Sequence, residues 1–223
     1  MQFLQWRLHA ENKFIHLLAI LLILFILSPF VEEIDSAFPF TSLIFLLALT
    51  FTLRTLNLNR KIFLSYVLLG VVLLFLELRL RTQATIIPAK TLGIAAMSIF
   101  SIFLLISIIA IIHRAFAASK VTMDTIFGGI CVYLLIGYFF ATLYYIIFFF
   151  DKDAFVFSSR WNDIYLFYFS FTTMTTLGYG DVYPVNKTAM VLSNLEAVAG
   201  QIYLGIFVAR LVGLHIIHQA NSK

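Results

Sequence analysis

The residues with the most distinctive chemistry form one short run from Thr175 to Asp181, with the sequence TTLGYGD. Glycine tolerates backbone dihedrals that other residues avoid, so Gly178 and Gly180 allow the chain to turn a row of carbonyl oxygens toward one axis. Such a row can replace the water shell of a potassium ion. The hydroxyl of Thr176 can add one more oxygen at the inner end. The run is therefore a candidate cation-binding backbone.

The composition places this run in a membrane. The 223 residues are 62% hydrophobic and 12% charged, with a mean hydropathy of +1.00, which is too apolar for a water-soluble core. The net charge of +4 comes from scattered Lys and Arg and predicts no nucleic-acid partner. The single cysteine, Cys131, excludes an intrachain disulfide. With no metal-ligand spacing and no pair of nucleophile and base, an enzyme or an organic cofactor is not expected.

The run TTLGYGD and the aromatic stretch Asn162 to Met174 before it resemble the selectivity filter and pore helix of potassium channels. The specific resemblance covers residues 125–214, and the rest of the chain is similar in layout only. Leu177 is a mild departure, because Val or Ile is commoner there. The resemblance implies that K⁺ ions are held by Thr176, Leu177, Gly178, Tyr179 and Gly180. It assigns support of the filter to Thr175, Asp181 and Tyr168, with the Tyr168 hydroxyl bonded to Asp181.

Six apolar stretches come close to the length of about 20 residues that a helix needs to cross a bilayer. They are 14–31, 38–53, 62–78, 94–112, 125–150 and 188–214. We expect an all-α membrane protein with six transmembrane helices and a re-entrant pore helix. Its predicted parts are an interfacial segment 1–13, a four-helix bundle 14–112, a linker 113–124, a pore domain 125–214 and a tail 215–223.

Assembly and orientation follow from the single filter and the number of spans. Irregular backbone at membrane depth is tolerated only where protein or water surrounds it, and one chain supplies one such loop. A ring of carbonyls therefore predicts a homotetramer in the lipid bilayer. Six spans place both termini on one side, and the distribution of Lys and Arg favours the cytoplasm. The expected location is the cell membrane.

Two residues of the last apolar stretch carry further hypotheses. Gly200 lies 19 residues beyond Asp181, similar to the inner-helix glycine at which many potassium channels bend. A gating hinge is expected there, with a packing notch as the alternative. Glu196 is an ionisable group in an apolar helix, which is costly enough to indicate function. It either lines the cavity and concentrates K⁺ or, as we favour, makes a buried bond to Thr172, Thr173 or a neighbour.

The stretch 94–112 contains no Lys or Arg. A voltage sensor needs several basic residues on one helix face, because each charge yields only about 2.3 kcal/mol per 100 mV. The sequence thus predicts a potassium-selective channel with little or no voltage dependence. A less selective cation channel and a non-conducting channel-like scaffold or modulator remain open alternatives. The gating stimulus, any regulatory partner and the role of Arg79 and Arg81 stay undetermined at this level.

Overall fold

The computed structural model describes residues 13–30, 39–56, 59–82, 88–117, 121–158 and 164–220. Within these ranges the chain forms seven α-helices and two short strands. The helices are α1 (Lys13–Leu27, extended by a 3₁₀ turn at Ser28–Phe30), α2 (Phe40–Thr55), α3 (Arg60–Thr82), α4 (Ala89–Ala117), α5 (Met123–Phe150), α6 (Ile164–Met174) and α7 (Lys187–Ala220). The strands are β1 (Phe155–Phe157) and β2 (Val182–Pro184). Residues 1–12 of the predicted interfacial segment lie outside the described residues, as do Asn162 and Asp163 at the start of the predicted pore helix.

Four helices, α3, α4, α5 and α7, are long and apolar enough to cross a membrane by length and composition. The helices α1 and α2 are also apolar but have only 15 and 16 residues. A hydrocarbon core about 30 Å thick takes about 20 helical residues, so both are short of a full perpendicular span. The described chain is therefore a mainly helical membrane protein with four clear spanning candidates.

The connection between α4 and α5 is shorter than the predicted linker 113–124. The helix α4 continues to Ala117, and α5 begins at Met123. The apolar pattern stops at His113 and Arg114, but a basic residue in the last helical turn is favourable beside the negative end of the helix dipole. The side chain of Thr122 caps α5 by accepting a hydrogen bond from the Thr125 amide at 3.2 Å. Only residues 118–122 separate the two helices.

Two buried clusters share the helices α5 and α7. The bundle cluster joins α1 to α4 with the first half of α5 and with Tyr203 and Phe207 of α7, and its members include Leu49, Phe103 and Leu135. The pore cluster packs the second half of α5 against α6, the strands and the start of α7, around Tyr144 and Leu166. A displacement of α5 would therefore be felt by both clusters.

A two-stranded antiparallel ribbon stands beside the TTLGYGD run. Phe155 pairs with Pro184 and Phe157 pairs with Val182. The expectation of an all-α fold omitted this ribbon, since three-residue strands are too short to show an alternating pattern. The ribbon connects the chain before α6 to the chain after the run, and so holds the two sides of this loop together.

Candidate functional site

The TTLGYGD run begins where α6 ends, and backbone hydrogen bonds tie the two together. The Thr175 amide donates to the Phe171 carbonyl at 3.0 Å. The amides of Leu177 and Gly178 both donate to the Thr172 carbonyl, at 2.8 and 3.2 Å. These last two bonds span five and six residues rather than the four of a regular α-helix. The carbonyl end of α6 therefore positions the first half of the run.

The backbone of the run alternates in handedness. Thr176, Gly178 and Gly180 have φ values of 61°, 53° and 79°. Among the described residues, Thr176 is the one non-glycine residue with positive φ, so Leu177 and Tyr179 keep negative values. An extended strand turns successive peptide groups to opposite sides, whereas alternating handedness turns them toward one side. Positive φ in a β-branched residue is a strained conformation of the kind found at functional sites.

The outer end of the run is held from two directions. The Asp181 carbonyl accepts a hydrogen bond from the Ser158 amide at 2.9 Å, which extends the pairing of β1 and β2. The Tyr168 hydroxyl is a hydrogen-bond partner of the Asp181 carboxylate. The Tyr168 ring also lies parallel to the Tyr179 ring, with centroids 6.4 Å apart. The structure thus brings together Tyr168 and Asp181, two of the three residues expected to support the run.

The third support residue, Thr175, bonds to α6 through its side chain, whose Oγ1 donates to the Phe171 carbonyl at 2.6 Å. The residues from Thr175 to Gly180 are all exposed in the single chain. The Tyr179 ring lies beside the Tyr168 ring of α6, yet Tyr179 is 68% exposed and Leu177 is 56% exposed. One chain therefore leaves this segment open on one side.

Glu196 is fully buried, with 0% of its surface exposed. The Tyr144 hydroxyl donates to its Oε2 at 2.6 Å, and Ser170 of α6 bonds to its Oε1. The side chain thus makes the buried bond that we favoured, but to Ser170 and Tyr144 rather than to Thr172 or Thr173. The Thr172 hydroxyl bonds within its own helix, to the Phe169 carbonyl at 3.0 Å.

Gly200 lies at the contact between α7 and the end of α6. A Cβ atom at this position would come within 2.6 Å of Met174 Cγ and 2.9 Å of the Met174 carbonyl oxygen. The helix α7 continues from Lys187 to Ala220 without a break at Gly200. In this structure Gly200 serves as a packing notch, the alternative to the expected hinge, and it brings α7 against the residue that precedes the run.

Two further close contacts between helices were not predicted from the sequence. Gly137 and Gly129 of α5 lie under the rings of Phe171 and Phe207, where a Cβ would overlap the ring. The Tyr203 hydroxyl also donates to the Gly129 carbonyl at 2.8 Å. A signal for these contacts was present, since glycine within an apolar helix marks a place where helices approach closely. The glycine positions alone do not identify which side chain packs against them.

The described part of α7 meets α4 near the last turns of both helices. The Arg210 guanidinium bonds to the Phe116 carbonyl and lies 5.0 Å from the centroid of the Phe116 ring. The carbonyls of a last helical turn lack partners within their helix and attract cations. Arg210 therefore links the end of the first bundle to the last helix.

Residues 130–214 match a family model described as ion channel. The matched segment runs from α5 through α6 and TTLGYGD into α7, so it contains the TTLGYGD run together with Glu196 and Gly200. No curated protein and no solved structure matches the chain. The match supports ion-channel activity for this multi-pass membrane protein.

Proposed function

We propose that this chain is one subunit of a potassium-selective channel, with α6 as a re-entrant pore helix and Thr176 to Gly180 as the selectivity filter. The alternating handedness at Thr176, Gly178 and Gly180 is the observation that carries the proposal. It directs consecutive carbonyls to one side, where they replace the hydration shell of K⁺. The hydroxyl of Thr176 adds the innermost ring of oxygens. The ions are the only cofactor in this proposal.

The exposure of the filter supports assembly as a homotetramer. Lipid cannot cover the irregular backbone from Thr176 to Gly180, because its unpaired polar groups would have no partner in hydrocarbon. Copies of the chain around a central axis enclose the segment and leave water and ions on its inner side. The helix α7 has room for such neighbours, since no atom lies within 4 Å of a Cβ at Gly205 or Gly213.

Six crossings complete the proposed topology. The apolar helices Phe14–Phe30 and Ser42–Arg54 cross with local thinning of the bilayer or snorkelling of their flanking residues. Both termini then lie in the cytoplasm, and the filter opens to the outside of the cell membrane. The ribbon of β1 and β2 forms the outer rim in this arrangement.

The test is a bi-ionic recording of the purified protein in liposomes, with K⁺ on one side and Na⁺ on the other. We expect a reversal potential close to the potassium equilibrium potential, because the filter replaces the water of K⁺ better than that of Na⁺. A reversal potential near zero would favour the less selective cation channel. Absence of any flux would favour the non-conducting scaffold or modulator.

The voltage response is a separate prediction. The helix α4 has no Lys or Arg between Lys90 and Arg114, so it carries no ladder of gating charges through the membrane. Because each gating charge contributes about 2.3 kcal/mol per 100 mV, we expect the open probability to change little with voltage. Single-channel recording over a wide voltage range measures this. Steep activation equivalent to several charges per subunit would contradict the prediction.

A further inference from the structure

The buried cluster behind the pore helix consists of Tyr144 and Gly137 of α5, Ser170 of α6 and Glu196 of α7. The Ser170 hydroxyl contacts two oxygens, the Gly137 carbonyl at 2.8 Å and Glu196 Oε1. The Tyr144 hydroxyl contacts Glu196 Oε2 at 2.6 Å. Three consecutive helices therefore meet at one carboxyl group.

A count of protons favours the neutral form of this carboxyl group. A serine hydroxyl carries one proton, and a backbone carbonyl can only accept. If Ser170 donates to Gly137, the short contact between Ser170 and Glu196 needs a proton from Glu196. With the carboxyl group protonated, Glu196 donates to Ser170, Ser170 donates to Gly137, and Tyr144 donates to Glu196, so every oxygen contact contains one hydrogen.

The charge of the surroundings agrees with this count. The hydrogen bonds of the Glu196 side chain are with the hydroxyl groups of Tyr144 and Ser170, and no basic side chain among the described residues neutralises its charge. A buried, unpaired carboxylate is costly, whereas a neutral acid with all its hydrogen bonds is tolerated. Gly137 contributes by its small size, since a Cβ there would come within 2.6 Å of the Phe171 ring. This allows α6 to approach the carbonyl on α5.

We infer that Glu196 is a neutral carboxylic acid that acts as a positioning residue. It holds the pore helix against α5 and α7 and thereby fixes the position of the filter backbone. The inference rests on the proposed function for its effect on selectivity. Ser170 lies two residues before Thr172, whose carbonyl anchors the amides of Leu177 and Gly178. A shift of α6 at Ser170 is thus passed to the filter through two backbone hydrogen bonds.

The experiment compares Glu196→Gln with Glu196→Ala, and uses Ser193→Ala as the matched control. The Ser193 hydroxyl lies one turn earlier on α7 and bonds only within its own helix, to Met190 at 2.9 Å. Glutamine keeps both hydrogen bonds and can carry no charge, because its NH₂ group donates to Ser170 and its carbonyl oxygen accepts from Tyr144. We expect Glu196→Gln and Ser193→Ala to keep the parental selectivity and open probability within about twofold, the scatter usual for near-neutral changes.

Glu196→Ala removes both contacts and leaves Ser170 and Tyr144 without their partner. We expect it to lower the K⁺ to Na⁺ permeability ratio at least about tenfold, and to lower the unfolding temperature in detergent by at least roughly 2–4 °C. Equal loss of selectivity in Glu196→Gln and Glu196→Ala would overturn the inference, because it would show that a charge is required. Parental selectivity in Glu196→Ala would overturn it as well.

An infrared measurement separates this inference from the proposed function. The parent protein should show the carbonyl stretch of a protonated, hydrogen-bonded carboxyl group that is missing in Glu196→Gln and present in Ser193→Ala. The band and the unfolding temperatures can be measured even if the protein conducts no K⁺. Absence of the band in the parent would overturn the inference and leave the proposed function standing.

Discussion

Replacement of Gly178 by alanine is expected to abolish selective K⁺ conduction while the subunit still folds. Gly178 has a φ of 53°, a conformation that costs an L-residue with a Cβ about 1–2 kcal/mol. Four copies in one filter would carry about 4–8 kcal/mol of strain at a single ring of the ion path. We expect the K⁺ current to fall at least about a hundredfold, which corresponds to about 2.7 kcal/mol. Bi-ionic liposome recording measures the current and its selectivity.

The space around Gly178 makes this variant informative, since no atom lies within 4 Å of a Cβ there in the single chain. The expected loss therefore reports backbone conformation rather than a clash within the subunit. The matched control is Gly70→Ala in α3, where the added Cβ meets its nearest atom, in the Phe103 ring, at an ordinary 3.5 Å. Parental selectivity in Gly178→Ala would refute the carbonyl ladder.

Gly129→Ala is expected to have the largest effect on stability. A Cβ at Gly129 would overlap three atoms of the Phe207 ring, at the place where α5 and α7 cross. The Tyr203 hydroxyl bonds to the Gly129 carbonyl at 2.8 Å, so a separation of the helices also weakens this bond. We expect a loss near the upper end of the range of about 1–3 kcal/mol that is typical of overpacked cores. Chemical or thermal unfolding in detergent measures it.

A second substitution at the partner distinguishes the clash from a general cost of alanine. In the double variant Gly129→Ala/Phe207→Leu the ring is removed, and we expect a favourable interaction energy of about 0.5–3 kcal/mol between the two changes. Gly70→Ala again serves as the control for alanine in a helix. Additive effects of the two substitutions would show that the destabilisation of Gly129→Ala does not come from the ring.

The membrane-spanning segments were largely predictable, because apolar length is a local property of the chain. The predicted stretches fall within or close to α1 to α5 and α7, and the helix expected before TTLGYGD is α6. The ends were less accurate, as α4 shows by continuing past Ile112 to Ala117. Charged residues end an apolar stretch, but they do not end the helix, because a basic residue in the last turn interacts favourably with the negative end of the helix dipole.

The unusual backbone of the TTLGYGD run was largely predictable from residue types alone. Glycines at positions 178 and 180 predicted unusual dihedrals, and the structure places positive φ at both. The positive φ of Thr176 was not predictable, because threonine avoids this region unless its surroundings impose it. Here the Thr172 carbonyl binds the amides of Leu177 and Gly178, and so bends the chain around Thr176.

The sequence by itself determined the apolar character of the chain, the approximate positions of its long apolar helices, the position of the TTLGYGD run and the absence of a basic ladder in the fourth helix. Each of these depends on residues that are neighbours in the chain. Only the tertiary structure decided that Glu196 bonds to Ser170 and Tyr144, and that Gly200 is a notch against Met174. Glu196 and Tyr144 are 52 residues apart, and their contact depends on how α5, α6 and α7 cross. Crossing geometry arises from side-chain packing over whole helices, which no single motif encodes.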